Sequence, residues 1–178
     1  VLMEISEQIS DICLQNNAMD VLVAKSKEKQ KEILDIRSMV YEALKNYTLE
    51  ILDVTIPRAR IDDFLIEVKE IENKYNTYIP SYGHAGDGNV HNHIMKAKFE
   101  NGKWEEIDNW KEKYRKTKEE ILKIGKKYDG ILSGEHGVGL IKKDYLKWFL
   151  EEKQTKLMKE IKNIFDPLNI LNPGKILT

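Results

Sequence analysis

Gly83-His84-Ala85-Gly86-Asp87-Gly88-Asn89-Val90-His91 is the stretch on which the reading of this chain turns. It places two imidazoles seven residues apart across a loop, and Gly86 and Gly88 allow that loop a tight reversal. Tyr78 to Tyr82 leads into it, and Asn89 to Ala97 reads as a strand paired with the incoming segment. A hairpin of this kind makes the sheet antiparallel. Along a strand that begins near Asn89, His91 and His93 share one face while Val90, Asn92 and Ile94 share the other. One side of the sheet is then expected to pack on helices and the other to line a polar pocket.

The remaining segments extend that pattern in both directions. Glu50 to Ile56 is expected to be a strand stopped by Pro57, and Ile61, Phe64, Leu65, Val68 and Ile71 fall at helical spacing. Asn101-Gly102 marks a turn, and a charged helix is expected from about Glu105 to Tyr128, ending at Asp129-Gly130. Gln154 to Phe165 is a final helix closed by Asp166-Pro167. Upstream, Ile33, Ile36, Val40 and Leu44 form the stripe of a long helix, and Met19 to Ala24 reads as a short strand. Ile5, Ile9, Ile12 and Cys13 also recur at helical spacing. Val1-Leu2-Met3-Glu4-Ile5 reads as a strand already in progress, so the chain is expected to be a fragment of a longer protein. Helices alternating with short hairpins predict an α+β sandwich, an antiparallel sheet with helices packed on one face.

Composition narrows the function classes. The 29 basic and 30 acidic side chains leave a net charge of −1, which argues against a nucleic-acid partner held by bulk electrostatics. No apolar run approaches the roughly 20 residues needed to span a bilayer, so no transmembrane segment is expected. Cys13 is the single cysteine, which excludes an internal disulfide and fits a reducing, cytoplasmic compartment.

All four histidines fall in or beside two glycine-rich motifs, the second being Gly134-Glu135-His136-Gly137-Val138-Gly139. His84, His91 and Glu135 form a donor set suited to a borderline divalent metal such as Zn, Mn or Fe. His136, next to that carboxylate, is placed to act as a general base. The competing reading makes the glycines simple turns and the histidines surface residues. A phosphate loop is disfavoured, because neither cluster has the required glycine spacing or a following Lys-Ser/Thr. Arg37 shares the stripe of Ile33, Val40 and Leu44, where it can either grip a carboxylate with two prongs or cover apolar surface with its stem. Asp53, inside its strand, is either a buried hydrogen-bond acceptor or a solvent-facing residue.

Four ordered motifs carry a family resemblance: Asp53-Val54-Thr55-Ile56-Pro57-Arg58, the stretch from Gly83 to His91, Ser133 to Gly139, and Phe165 to Lys175. Together they resemble the C-terminal half of the FAD-linked 2-hydroxy-acid dehydrogenases, a group that includes D-lactate dehydrogenase, D-2-hydroxyglutarate dehydrogenase and, as the nearest variant, the glycolate oxidase D subunit. The resemblance implies that residues 1–178 are the later part of a ferredoxin-like cap domain, with the FAD-binding domain and the start of the cap absent. It implies a divalent metal on His84, His91 and Glu135, a catalytic base at His136, and a substrate carboxylate held by Arg37. Asn172, in Asn172-Pro173-Gly174-Lys175, is the residue expected to approach the flavin. His93 stands where some relatives have Asn and is expected to bind substrate or add a ligand. Tyr41 stands where the hydroxyglutarate enzymes use Thr, which favours a smaller substrate.

The expected activity is oxidation of a small 2-hydroxy acid, of glycolate or D-lactate type, to the 2-oxo acid with hydride passing to FAD. The fragment alone is expected to be inactive. Expected partners are the FAD-binding domain, other oxidase subunits or an iron–sulfur electron-transfer subunit, through which the protein would associate peripherally with a membrane. A free-standing metal-binding module without redox chemistry is the alternative.

Overall fold

The computed structural model describes residues 2–177. They fall into two compact units that divide between Asn46 and Tyr47. The first unit holds α1 (Leu2–Gln15) and α2 (Lys27–Leu44). Ser26 caps α2, its hydroxyl accepting the Lys29 N–H at 3.2 Å.

Two expectations for this unit are overturned. Residues 2–5 belong to α1 rather than to a strand, and Val1 lies outside the described residues. Met19 to Ala24 is not a strand either: it pairs with no other strand among the described residues, and Met19 and Leu22 are almost fully exposed. A strand needs a hydrogen-bonding neighbour, so a short apolar run alone does not make one.

The second unit contains β1 (Thr48–Thr55), α3 (Ile61–Tyr75), β2 (Ser81–His84), β3 (Asn89–Met95), β4 (Ala97–Glu100), β5 (Lys103–Glu106), α4 (Trp110–Lys127), α5 (Leu146–Phe149) and α6 (Glu152–Phe165). β1, β3 and β2 form an antiparallel sheet in that order, with β3 in the middle and buried along its whole length. Leu52, Val54, Val90 and Ile94 project from one face into a core with Phe64, Val68 and Ile71 of α3 and Ile121 and Leu122 of α4. This is the α+β arrangement expected, with helices on one face of an antiparallel sheet.

β4 and β5 make a separate hairpin around Asn101 and Gly102, both at positive φ as a tight two-residue turn requires. The charged helix therefore begins at Trp110, not near Glu105. The stretch that helical periodicity would assign to its first turn is strand β5, where Trp104 stacks on Tyr47 with ring centres 4.4 Å apart.

Candidate functional site

The face of the sheet turned away from the helices carries Asp53, Tyr82 and the histidines of β3. Register fixes them: Asp53 lies opposite His91, Ile51 opposite His93, Tyr82 opposite His91 and His84 opposite Asn89. The β2–β3 reversal is held by the His84 carbonyl, which accepts the N–H groups of Asp87 and Gly88, and by the Asp87 carboxylate, which accepts the Asn89 N–H at 3.0 Å. Gly88 is the glycine this turn cannot replace. Its φ is +82°, and a Cβ there would lie 2.1 Å from the Ile56 carbonyl oxygen. Gly86 faces open space, so the expected need for two glycines in this loop reduces to one.

The second motif is brought alongside β1 by a two-way bridge between Thr55 and Ile131, with N···O distances of 3.1 and 2.8 Å. Beyond the bridge, the chain folds over Asp53. One oxygen of that carboxylate accepts the Ser133 hydroxyl at 3.0 Å and the N–H groups of Gly134, Glu135 and His136 at 2.9, 3.1 and 3.1 Å. The Lys142 ammonium donates to the Asp53 carbonyl at 2.7 Å and stands 3.6 Å from the same carboxylate oxygen. Asp53 is thus a buried acceptor, which resolves the ambiguity of its strand position. Burial pushes its carboxyl up, but the N–H groups, the lysine and the hydroxyl outweigh that and hold it below the ordinary Asp range. Burial drives the Lys142 amine the other way, below its usual value, against the pull of Asp53.

Three of the expected site residues converge. His84, His91 and Glu135 each offer a ligand atom, all within 4.8 Å of one another. Glu135 Oε1 lies 3.2 Å from His91 Nε2 and 4.0 Å from His84 Nε2. His136 joins them: its Nε2 is 3.6 Å from the same oxygen, and its ring stacks on that of His91 at 5.0 Å and 13°. His91 is buried, and burial pulls its ring below the ordinary histidine range despite Asp53 beside it. His84, Glu135 and His136 remain partly or largely exposed, so the cluster has one dry wall and one open side.

His93 sits deeper. It is fully buried, with Nδ1 2.9 Å from the Thr48 hydroxyl and Nε2 3.0 Å from the Tyr82 hydroxyl. Burial lowers its pKa to about 4, so the ring is neutral. The Thr48 hydroxyl also points at the Met95 sulfur, 3.3 Å away. The two hydroxyls thus occupy both nitrogens of the neutral ring, one as donor and the other as acceptor. His93 is hydrogen-bonded to Tyr82, whose ring centre lies 5.5 Å from that of His91 and which the sequence reading did not single out.

Asn172 lies in the C-terminal segment, which is tied to the second motif by the Ile176 N–H donating to the Gly139 carbonyl at 3.0 Å. It helps line a groove of about 580 Å³ with Gly139, Met158, Ile161 and Leu171. Arg37 lies on α2 in the first unit and is exposed.

A sequence profile of the family of FAD linked oxidases, C-terminal domain, matches residues 1–176. The chain is 36% identical over 172 residues to a D-lactate dehydrogenase of Archaeoglobus fulgidus, covering 97% of this chain and 36% of that protein. It is 33% identical over 172 residues to glycolate oxidase subunit GlcD of Bacillus subtilis, covering 96% and 35%. With a D-2-hydroxyglutarate dehydrogenase of Stutzerimonas stutzeri it shares 29% over 169 residues, covering 91% and 34%. The chain spans about a third of the length of these curated relatives. Among the described residues no helix is long and apolar enough to cross a membrane.

Proposed function

The chain belongs to the family of FAD-linked oxidase C-terminal domains, and from that premise we propose that it is the substrate- and metal-binding part of a flavoenzyme that oxidises a small 2-hydroxy acid to the 2-oxo acid. The observation that carries this reading is the convergence of His84, His91 and Glu135 within 4.8 Å, with His136 stacked against them. Two imidazoles and a carboxylate are a donor set for Zn, Mn or Fe, and the open side of the cluster leaves room for a substrate oxygen. Such a metal would polarise the substrate hydroxyl and make its proton easier to remove. Relatives named for D-lactate, glycolate and D-2-hydroxyglutarate support a 2-hydroxy acid, and Tyr41 favours the smaller ones, of glycolate or D-lactate type.

In this proposal Arg37 grips the substrate carboxylate, a role for which a planar guanidinium is suited. His136 takes the hydroxyl proton at Nε2, the nitrogen that faces Glu135. His93 holds the Tyr82 hydroxyl in place so that it can hydrogen-bond substrate. FAD, held mainly outside this chain, would supply the hydride acceptor, and Asn172 is the residue here that would approach it. Partner oxidase subunits or an iron–sulfur subunit would then take the electrons, and through them a cytoplasmic enzyme would associate peripherally with the membrane.

The test is metal content by elemental analysis of the full-length protein, purified without chelators, beside His84→Ala and Glu135→Ala variants. It is paired with stopped-flow reduction of the flavin by glycolate and D-lactate. Near-stoichiometric metal that both variants lose, together with rapid flavin reduction, is the expected result. His136→Ala should retain metal and slow reduction by roughly 10²–10⁴-fold, the usual worth of a general base. Metal without hydroxy-acid-dependent reduction would instead favour a metal-binding module.

A further inference from the structure

One buried group has no role in the mechanism above, although it touches both halves of the site. Asp53 is fully buried on β1 directly opposite His91. An ionised carboxylate is costly to bury, and its partners reveal what it is kept for. Oδ2 is saturated by the Ser133 hydroxyl and three successive N–H groups. Oδ1 has no hydrogen-bond partner, and neither has Nδ1 of His91, 3.6 Å away. Two complementary buried atoms facing each other just beyond bonding distance need only a small side-chain rotation to pair.

We propose that Asp53 is a positioning residue for the metal–base site: its Oδ1 fixes the tautomer of His91, and its Oδ2 fixes the backbone that carries Glu135 and His136. This deepens, and rests on, the reading of the site as a metal centre. The tautomer argument follows from where acceptors meet. If His91 carries its proton on Nδ1, it donates to Asp53, and Nε2 turns a lone pair towards Glu135 Oε1 at 3.2 Å. Two acceptors at that distance require a cation between them, which is the condition of a metal site. If the proton sits on Nε2 instead, Glu135 is satisfied, but the lone pair of Nδ1 then faces Oδ1 in a dry interior. The first clash occurs at a half-exposed carboxylate, where water or a metal relieves it. The second occurs at a fully buried one, where nothing does. Burial therefore selects Nδ1–H.

The second arm acts on the same atoms from the other side. The three N–H groups held by Oδ2 belong to Gly134, Glu135 and His136, so the same carboxylate that aims His91 also places the ligand and base that face it. Asn89 closes the arrangement from below, since a Cβ on Gly134 would lie 2.2 Å from its side-chain oxygen. A carboxylate behind a metal-binding histidine is worth roughly 10–100-fold in metal affinity.

The decisive measurement is the ¹⁵N spectrum of histidine-labelled, metal-free full-length protein, with His91 assigned by comparison with a His91→Gln variant. A protonated Nδ1 and bare Nε2 is the expected result; an Nε2–H tautomer in the wild type overturns the proposal without any Asp53 variant being needed. Asp53→Asn keeps an acceptor for the backbone but turns an amide donor towards His91. It should invert the tautomer and weaken Zn²⁺ or Mn²⁺ binding about 10–100-fold in a titration with the metal alone, with far-UV dichroism and flavin content retained. An Asp53→Asn protein that keeps both the Nδ1–H form and full metal affinity also overturns it. If His84→Ala and Glu135→Ala leave metal content unchanged, the metal-site reading fails instead, and the tautomer still decides the role of Asp53.

Discussion

Glu50 and Asp53 stand three residues apart on β1, on opposite faces of the sheet, and both are carboxylates removed from water. Glu50 faces the helices. Its two oxygens accept the Lys118 ammonium at 3.0 and 2.9 Å and the Tyr114 hydroxyl at 2.5 Å, and Lys118 spends a further proton on the Ile141 carbonyl at 3.0 Å. That cluster is closed, with neither Glu50 nor Lys118 leaving a buried side-chain atom unsatisfied. Asp53 faces the histidines, with one oxygen saturated and the other orphaned beside an equally orphaned imidazole nitrogen. Only four buried side-chain polar atoms among the described residues lack a partner, and three of them belong to Asp53, Asn89 and His91. The closed cluster has the satisfied form of a structural ion pair, whereas the capacity left on Asp53 faces His91, the histidine proposed above to hold a metal.

The sharpest way to break this contrast is to open the closed cluster. Lys118→Ala would strand Glu50 in the interior, and losing one partner of a buried ion pair costs roughly 3–5 kcal/mol. Urea denaturation should show that loss in full, because the pair is only 5–6% exposed. A change below about 1 kcal/mol, the usual range of surface pairs, would mean that the Glu50 cluster is as open as the other and that the distinction fails.

The histidine face should also reveal itself through pH. His93 is neutral in the folded protein because burial lowers its pKa to about 4, while the unfolded chain titrates near the ordinary 6.5. The unfolded state therefore takes up the proton first. Stability is fully present above about pH 6.5 and falls as the pH drops towards 4, by up to about 1.4 kcal/mol per unit and roughly 3 kcal/mol in all. Unfolding free energies measured between pH 7 and pH 4 should follow that slope, and His93→Asn should flatten it. An unchanged slope in the variant would place the acid sensitivity on some other group.

How much of this was legible beforehand follows the same division. The helix-facing half is written in apolar periodicity, so Leu52 and Val54 on β1, Phe64, Val68 and Ile71 on α3, and the alternation of β3 were readable directly. The metal-binding candidates were readable because histidine, glutamate and glycine clustered in two short motifs. What could not be read was the link between those motifs. Asp53 and Lys142 look like ordinary residues in apolar surroundings, and only cross-strand register and the Thr55–Ile131 bridge bring them to His91 and Glu135. The commitment of His93 to Thr48 and Tyr82 was hidden for the same reason, since both contacts cross between strands. Met19 to Ala24 and the start of α4 were misread because local pattern cannot say whether a strand has a neighbour or where a hairpin interrupts a helical rhythm.

The finest test of the contrast adds one methyl group to each face. Gly134 lies against the Asn89 side chain, and a Cβ there would be 2.2 Å from its oxygen, far inside contact distance. Gly134→Ala must push either Asn89 or the loop that bears Glu135 and His136, at a cost of about 1–3 kcal/mol. Because Asp53 grips that loop by three N–H groups, the strain should also appear as weaker metal binding by the full-length protein. Gly125 is the counterpart on the helix side. It lies within α4, and a Cβ there would meet only Ile56 Cδ1 at 4.0 Å, an ordinary contact. Gly125→Ala exchanges a poor helix former for the best one, so it should stabilise the protein by about 0.5–1 kcal/mol without touching the site. Equal effects at the two glycines, read as melting temperatures alongside metal titration, would show that the histidine face is packed no more tightly than the helical one and that its geometry is not held in place by the loop.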